Sequence, residues 1–208
     1  MAFITLEGIE GSGKTTQAQR LAKALGPGAL LTQEPGGTAI GRAIRSLLLD
    51  VGHKGMAPET EVLLFFADRA QHVAEVVRPA LAGGRIVVSD RYTDSSMAYQ
   101  GYGRGIELDL IRVVARAATG GLVPDLTIFI DVPVEVGLAR VGKRGRHDRL
   151  EAEVREFHER VRDGYRTLAA ADRGRWVSID GQADEDDVER QVLAAVAARG
   201  ILAGHGVR

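Results

Sequence analysis

The sequence predicts an α/β protein in which a parallel sheet is covered by helices on both faces. Short apolar runs alternate with longer stretches of helical periodicity along the 208 residues. A loop of the form G-x-x-x-x-G-K-[ST], Gly8-Ile9-Glu10-Gly11-Ser12-Gly13-Lys14-Thr15, falls between the first apolar run and the first helical stretch. Each apolar run is also followed by chemically distinctive residues, as expected where ligands bind beyond the carboxyl ends of parallel strands.

Taken in order, strands are expected at 3–7, 29–32, 85–89, 126–132 and 176–179, each a short apolar run. Helices are expected at about 14–25, 39–49, 59–82, 107–119, 134–141, 150–173 and 184–198. Gly26-Pro27-Gly28, Gly83-Gly84 and Gly120-Gly121 are punctuation between them. The segment 95–105 adds hydroxyls, an amide and flexible glycines, which suits a polar small-molecule pocket. The last residues, 203–208, read as a frayed tail. One domain over 1–208 accommodates these elements.

The bulk composition narrows the class. A 45% apolar fraction is ordinary for a globular core, and a formal net charge of −1 advertises no polyanionic partner, so no nucleic acid is expected. No cysteine is present, which excludes disulfides and thiolate metal sites. No basic leader and no run of ~18 apolar residues occur, so a cytoplasmic protein with no membrane partner is expected.

The glycine-rich loop fixes a ligand class. Gly8, Gly11 and Gly13 let the backbone turn its N–H groups toward phosphate oxygens. Lys14 reaches the outer phosphates, and the Thr15 hydroxyl can hold Mg²⁺. The helix that follows points its positive end at the anion. Asp90, at the end of Ile86-Val87-Val88, is where an acid would hold the metal or its waters, with Asp131 as a competitor. Arg91 beside it could clamp an anion bidentately. Phe65 and Arg69 are one helical turn apart, able to stack a base and donate to its carbonyl, or equally to be a core ring and a surface charge. Arg42 and Arg45 follow the turn Glu34-Pro35-Gly36-Gly37-Thr38, with a solvated helix position as the bland alternative for each. Arg140, Lys143, Arg144, Arg146 and Arg149, interrupted by Gly142 and Gly145, read as a mobile lid over about 140–150 that closes on transferring phosphates, or as a solvated basic loop.

Together, Gly8–Thr16, Glu34–Thr38, Asp90-Arg91-Tyr92 and Tyr99–Gly105 resemble bacterial thymidylate kinases, over about residues 3–151. The resemblance implies a P-loop NTPase-type three-layer fold with a five-stranded parallel sheet of order 2-3-1-4-5, a homodimer, and the reaction ATP + dTMP → ADP + dTDP with Mg²⁺, on the route to dTTP. It implies ATP contacts from Gly8, Ile9, Glu10, Gly11, Ser12, Gly13, Lys14, Thr15, Thr16 and Arg140. It implies dTMP contacts from Glu10 (sugar 3′-hydroxyl), Arg45 and Arg91 (phosphate), Phe65 and Arg69 (base), Ser96, Tyr99 (2′ position) and Gln100. Thr15 and Asp90 serve the metal, and Lys14, Asp90, Arg91 and Arg144 the chemistry. Some relatives carry an arginine within the P-loop where Glu10 stands here. The lid should therefore supply the cation, Arg144 first, with Arg140, Arg146 and Arg149 as alternates.

Two other readings compete: a kinase for another nucleoside monophosphate or a deoxynucleoside, and an ATP-dependent switch protein. A guanine switch reading its base through Asn-Lys-x-Asp is impossible, because the chain has no asparagine.

Overall fold

The computed structural model describes residues 1–143, 145 and 148–201. Five strands form one parallel sheet in the order β2-β3-β1-β4-β5, as expected. They are β1 (Ala2–Glu7), β2 (Ala29–Gln33), β3 (Ile86–Asp90), β4 (Leu126–Asp131) and β5 (Trp176–Asp180). The helices are α1 (Lys14–Leu25), α2 (Ala39–Leu49), α3 (Pro58–His72), α4 (Arg78–Ala82), α5 (Thr93–Ser96), α6 (Leu108–Thr119), α7 (Val134–Gly142), α8 (Arg155–Ala171) and α9 (Glu185–Ala198).

β1 lies between β3 and β4 and is buried along its whole length. Strand alternation sends its side chains to two different cores. Ala2, Ile4 and Leu6 pack with Leu21 of α1 and Val192 of α9. Phe3 faces the other way, against Val73, Val77 and Tyr92. Phe3, Ile4 and Leu6 are each at most 1% exposed, and burying each such side chain contributes roughly 1.5–3 kcal/mol. The P-loop is therefore anchored on one of the most firmly held strands. Glu7 shares the parity of Phe3, which carries its carboxyl toward α8 rather than α1.

Three expectations need correction. The flexibility expected of the glycines in 95–105 is curtailed by regular structure: α5 runs into a π-helical turn, Met97–Gly103. Glycine there serves close packing, since a Cβ on Gly103 would lie 2.7 Å from the Phe157 ring and one on Gly164 an equal 2.7 Å from the Tyr102 ring. The helix expected over 59–82 is three pieces, α3, a π-helical turn Val73–Val77 and α4, with Pro79, which cannot donate a backbone hydrogen bond, in the last. The helix expected from 150 begins at Arg155, because Asp148 folds the preceding segment into a turn by accepting from the N–H groups of Leu150 and Glu151.

Candidate active site

A cleft of about 900 Å³ opens along the carboxyl ends of the strands. The P-loop forms one wall through Gly11, Ser12, Gly13, Lys14, Thr15 and Thr16, with Arg140 of α7 beside them. Gly8 (φ 151°) and Gly11 (φ 70°) are positions only glycine suits. A Cβ at Gly8 would stand 2.7 Å from the Ile130 carbonyl oxygen, and one at Gly11 would strike the carbonyl of Gly137 in α7. The loop is thus wedged against the helix that carries the basic segment. Gly8 and Ile9 lie beneath the wall and act through their carbonyls, which accept from Arg91 and from Lys14 Nζ at 3.2 Å each.

The opposite wall carries Arg45, Phe65, Arg69, Ser96, Tyr99 and Gln100. Arg45 donates to the Pro35 carbonyl (2.8 Å), which holds it against the Glu34–Gly37 turn rather than in bulk solvent. Arg69 is 1% exposed and donates to Glu34 (2.6 Å), Ser96 (3.1 Å) and the Tyr92 carbonyl (2.9 Å). The alternative of a surface charge at Arg69 is thereby excluded. Arg42, by contrast, is exposed, as the bland alternative had it.

Glu10, Asp90 and Arg91 lie between the walls. Arg91 has φ 75°, the one non-glycine residue with positive φ among the described residues. That left-handed backbone costs an L-residue roughly 1–2 kcal/mol and persists because the surroundings over-determine it. The Arg91 guanidinium donates to the Gly8 carbonyl, Ser95, Tyr165, Glu10 and Tyr99, at 3.0–3.2 Å.

The carboxylates around it differ in proton affinity. Glu7 sits behind Arg91, accepting from the Tyr92 N–H (2.8 Å), Ser95 (2.6 Å) and Tyr165 (2.9 Å). Burial first, then the charge of Asp94, pushes its pKa up to about 7. Burial pushes Glu10 the same way, but it is outweighed by His158, the charges of Arg91 and Lys14, and the Tyr99 hydroxyl, which hold Glu10 at about 2. Lys14 is lowered to about 8 by burial and by repulsion from Arg91, against the pull of Asp90, Glu10 and Glu7. A phosphate arriving in the cleft would oppose this shift, because its negative charge favours the ammonium.

The Thr15 hydroxyl donates to one carboxylate oxygen of Asp90 at 2.5 Å, and the other, Oδ1, is buried with no partner. Ser12 Oγ is buried without a partner as well. Two hard oxygen donors with an unfilled lone pair suit a divalent cation that keeps waters and borrows phosphate ligands. No group of three or more His, Cys, Asp or Glu able to hold a metal occurs among the described residues, so the protein alone builds no full cage. Asp131, the competitor, is engaged by Arg162 (2.7 Å) and Arg166 (2.9 Å) and does not line the cleft.

The basic segment corrects another expectation. Arg149 is no lid cation: it is 5% exposed, pairs with Glu61 at 2.6 Å and donates to the Leu48 carbonyl. Arg140 donates to the Gly11 and Gly181 carbonyls at the P-loop end of the cleft. Arg144 and Arg146 lie outside the described residues. Sequence reasoning did not find Glu7 and Tyr165 behind Arg91, His158 beside Glu10, or the wall from Gly181 to Glu185. Tyr165 is 74 positions from Arg91 with no local signal to join them. Glu7, an acid ending a buried apolar strand, was the one legible clue.

A cleft that offers a phosphate-cradling loop at one end and arginines for a second anion at the other defines a P-loop kinase of small phosphorylated acceptors. Similarity to known proteins narrows this. The family model described as Thymidylate kinase matches residues 6–192. A thymidylate kinase of Carboxydothermus hydrogenoformans is 53% identical over 189 residues, 89% of this chain and 92% of that protein. One from Desulfovibrio desulfuricans is 50% identical over 206 residues, 94% of this chain and 95% of that one. A crystal structure of thymidylate kinase from Ehrlichia chaffeensis superposes with a TM-score of 0.77 at 34% identity, covering 94% of this chain and 98% of that one. The chain belongs to the thymidylate kinase family.

Proposed function

We propose that this protein transfers the γ-phosphoryl group of ATP to dTMP, giving ADP and dTDP, with Mg²⁺ as cofactor. The observation that carries this reading is that one cleft is lined by the P-loop, by Arg91 and by Phe65 and Arg69 together. Lys14 and the P-loop amides hold the ATP phosphates. Phe65 stacks on the base, Arg69 donates to its carbonyl, and Arg45 and Arg91 take the monophosphate. Tyr99, beside Glu10, closes the sugar's 2′ side. Thr15 and Asp90 would hold Mg²⁺, which supplies charge neutralisation between the phosphates.

The acceptor is a phosphate oxygen that is already anionic, so the site requires no strong base. Glu10, held at about 2, is a poor one; it fits a hydrogen-bond acceptor for the 3′-hydroxyl. Positioning and charge compensation make up the chemistry. Arg140 contributes at the P-loop end, and Arg144 is the proposed lid cation. No helix among the described residues is long and apolar enough to cross a membrane, in keeping with a cytoplasmic site of action.

ADP release from ATP, measured by a coupled assay, should rise by orders of magnitude when dTMP is added, and dTMP should exceed other monophosphates and deoxynucleosides in kcat/KM. Slow ATP hydrolysis indifferent to dTMP is what a switch protein would give, and it would overturn the proposal.

The homodimer is proposed on a separate observation. α3 and α6 pack against each other and together expose Leu63 (59%), Leu110 (49%) and Val113 (67%). Large side chains this open on neighbouring helices suit a self-complementary partner. Sedimentation at micromolar concentration should give twice the 22.3 kDa chain mass; a monomer would reject the dimer while leaving the reaction untouched.

A further inference from the structure

Beneath the base pocket runs a chain of buried polar groups that the reaction itself does not use. Thr32 lies one residue before the end of β2, Glu34 follows the strand directly, and Arg69 and His72 project from the same face of α3. Thr32 Oγ1 lies 2.6 Å from His72 Nε2, His72 Nδ1 lies 2.7 Å from Glu34 Oε1, and Arg69 Nε donates to Glu34 Oε2 at 2.6 Å. Glu34, Arg69 and His72 are 3%, 1% and 0% exposed. An ionised carboxylate only accepts, so Nδ1 of His72 carries the proton that faces Glu34, while Nε2 and the Thr32 hydroxyl share the next hydrogen bond. The space is tight: a Cβ on Gly37 would lie 2.5 Å from the His72 ring.

The guanidinium this chain holds is nearly immobile. Its Nε goes to Glu34, one terminal nitrogen to Ser96 and the other to the Tyr92 carbonyl. Phe66 packs on its face, 4.6 Å from the guanidinium carbon to the ring centroid. Of five N–H hydrogens, three are committed, which leaves one on each terminal nitrogen. Arg69 lines the cleft, so those two are what it has left to offer a ligand. Their direction is set by the bond to Glu34, because a planar fork fixed at Nε cannot rotate its far edge independently.

We infer that Glu34, held by His72 and Thr32, is a positioning residue that fixes Arg69 for reading a carbonyl on the acceptor's base, and so sets discrimination between bases. This rests on the reading above that Arg69 faces the base. Glu34 also lines the cleft, but its two carboxylate oxygens are taken by Arg69 and His72, so the role inferred for it runs through Arg69. The strong charge-assisted pair also keeps a buried cation compensated before substrate arrives, so pocket geometry exists in the free enzyme.

Glu34→Gln keeps the side-chain shape and removes the charge, and His72→Gln breaks the next link. Wild type, both variants and Arg69→Met are compared for kcat and KM with dTMP, dUMP and dCMP, and for KM with ATP. dCMP presents an amino group where dTMP presents the 4-carbonyl. dUMP lacks only the methyl, which Arg69 does not read. Glu34→Gln should raise KM for dTMP by tenfold or more with kcat within about threefold and KM for ATP unchanged. It should lower the dTMP/dCMP ratio of kcat/KM at least tenfold and leave the dTMP/dUMP ratio alone; His72→Gln should do the same to a lesser degree. Equal losses on all three substrates, or a loss of kcat with KM preserved, mean that the chain is only structural and overturn the inference. An altered ratio in Arg69→Met with unaltered ratios in both Glu34→Gln and His72→Gln also overturns it, while sparing the proposed function. Absence of dTMP turnover in wild type removes the function itself. If Glu34→Gln fails to fold, the dTMP/dCMP ratio in His72→Gln decides the matter in its place.

Discussion

Arg91→Met should lower kcat/KM for dTMP by about 1,000-fold or more, the loss that follows removal of an arginine stabilising transferring phosphate. The expectation comes from where this guanidinium sits. It is half-buried among five oxygen acceptors, between the P-loop wall and the acceptor wall, and it reaches both through the Gly8 carbonyl and through Tyr99. Without it, Glu10 and the P-loop lose their shared counter-charge, and two polyanionic substrates must meet in a cleft of low dielectric. A folding defect is separable from this by a second variant. Arg91→Gly also deletes the side chain, but it relieves the left-handed backbone (φ 75°) that costs roughly 1–2 kcal/mol in an L-residue. The glycine variant should therefore melt at or above the methionine variant while both are equally inactive. Steady-state kinetics and thermal melts decide it. An activity loss under tenfold would move the phosphate clamp to Arg45.

What the sequence made legible follows from how local each signal is. The P-loop, its strand and α1 are contiguous, and their roles follow from residue type at fixed spacing. Asp90 was readable as a cleft residue from its place at the end of an apolar run, but that signal alone does not separate it from Asp131, which ends another and is held by Arg162 and Arg166 outside the cleft. Phe65 and Arg69 were readable as a pair one turn apart, but burial of Arg69 depends on Glu34 from another element. Arg149 was misplaced because composition cannot distinguish a basic lid from a basic turn docked on Glu61, 88 positions away along the chain; the ion pair decides it. Of the glycines of 95–105 that suggested freedom, Gly105 uses it (φ 79°), whereas the fold uses Gly101 and Gly103 for contact, against Leu108 and Phe157. Backbone freedom and close packing demand the same residue, and only the neighbours tell them apart.

Lys14→Met should abolish useful turnover, by about 1,000-fold in kcat, yet leave the protein more stable than wild type at neutral pH. The two effects share one cause. Lys14 is 7% exposed, and burial with repulsion from Arg91 lowers its pKa from 10.5 to about 8. A lysine whose folded pKa is depressed binds its proton less well than in the unfolded chain. Below pH 8 it is charged in both states, and the folded protein bears the full cost of burying that charge, at most roughly 3 kcal/mol. The cost fades as pH rises from about 8 to 10.5, where the folded state can shed the proton that the unfolded state keeps. Methionine removes the charge and retains the apolar stem, so its stabilising effect should be largest below pH 8 and shrink above it, which melts across pH would show. ATP reverses the balance, because its phosphates favour the ammonium. Affinity for ATP in wild type should be flat below about pH 8 and fall by up to tenfold per pH unit above it, with proton uptake on binding. Lys14→Arg, which stays charged throughout, should bind ATP with no such slope whatever its absolute affinity. A slope that survives in the arginine variant would assign the titration to another group in the cleft and leave Lys14 as a permanent cation.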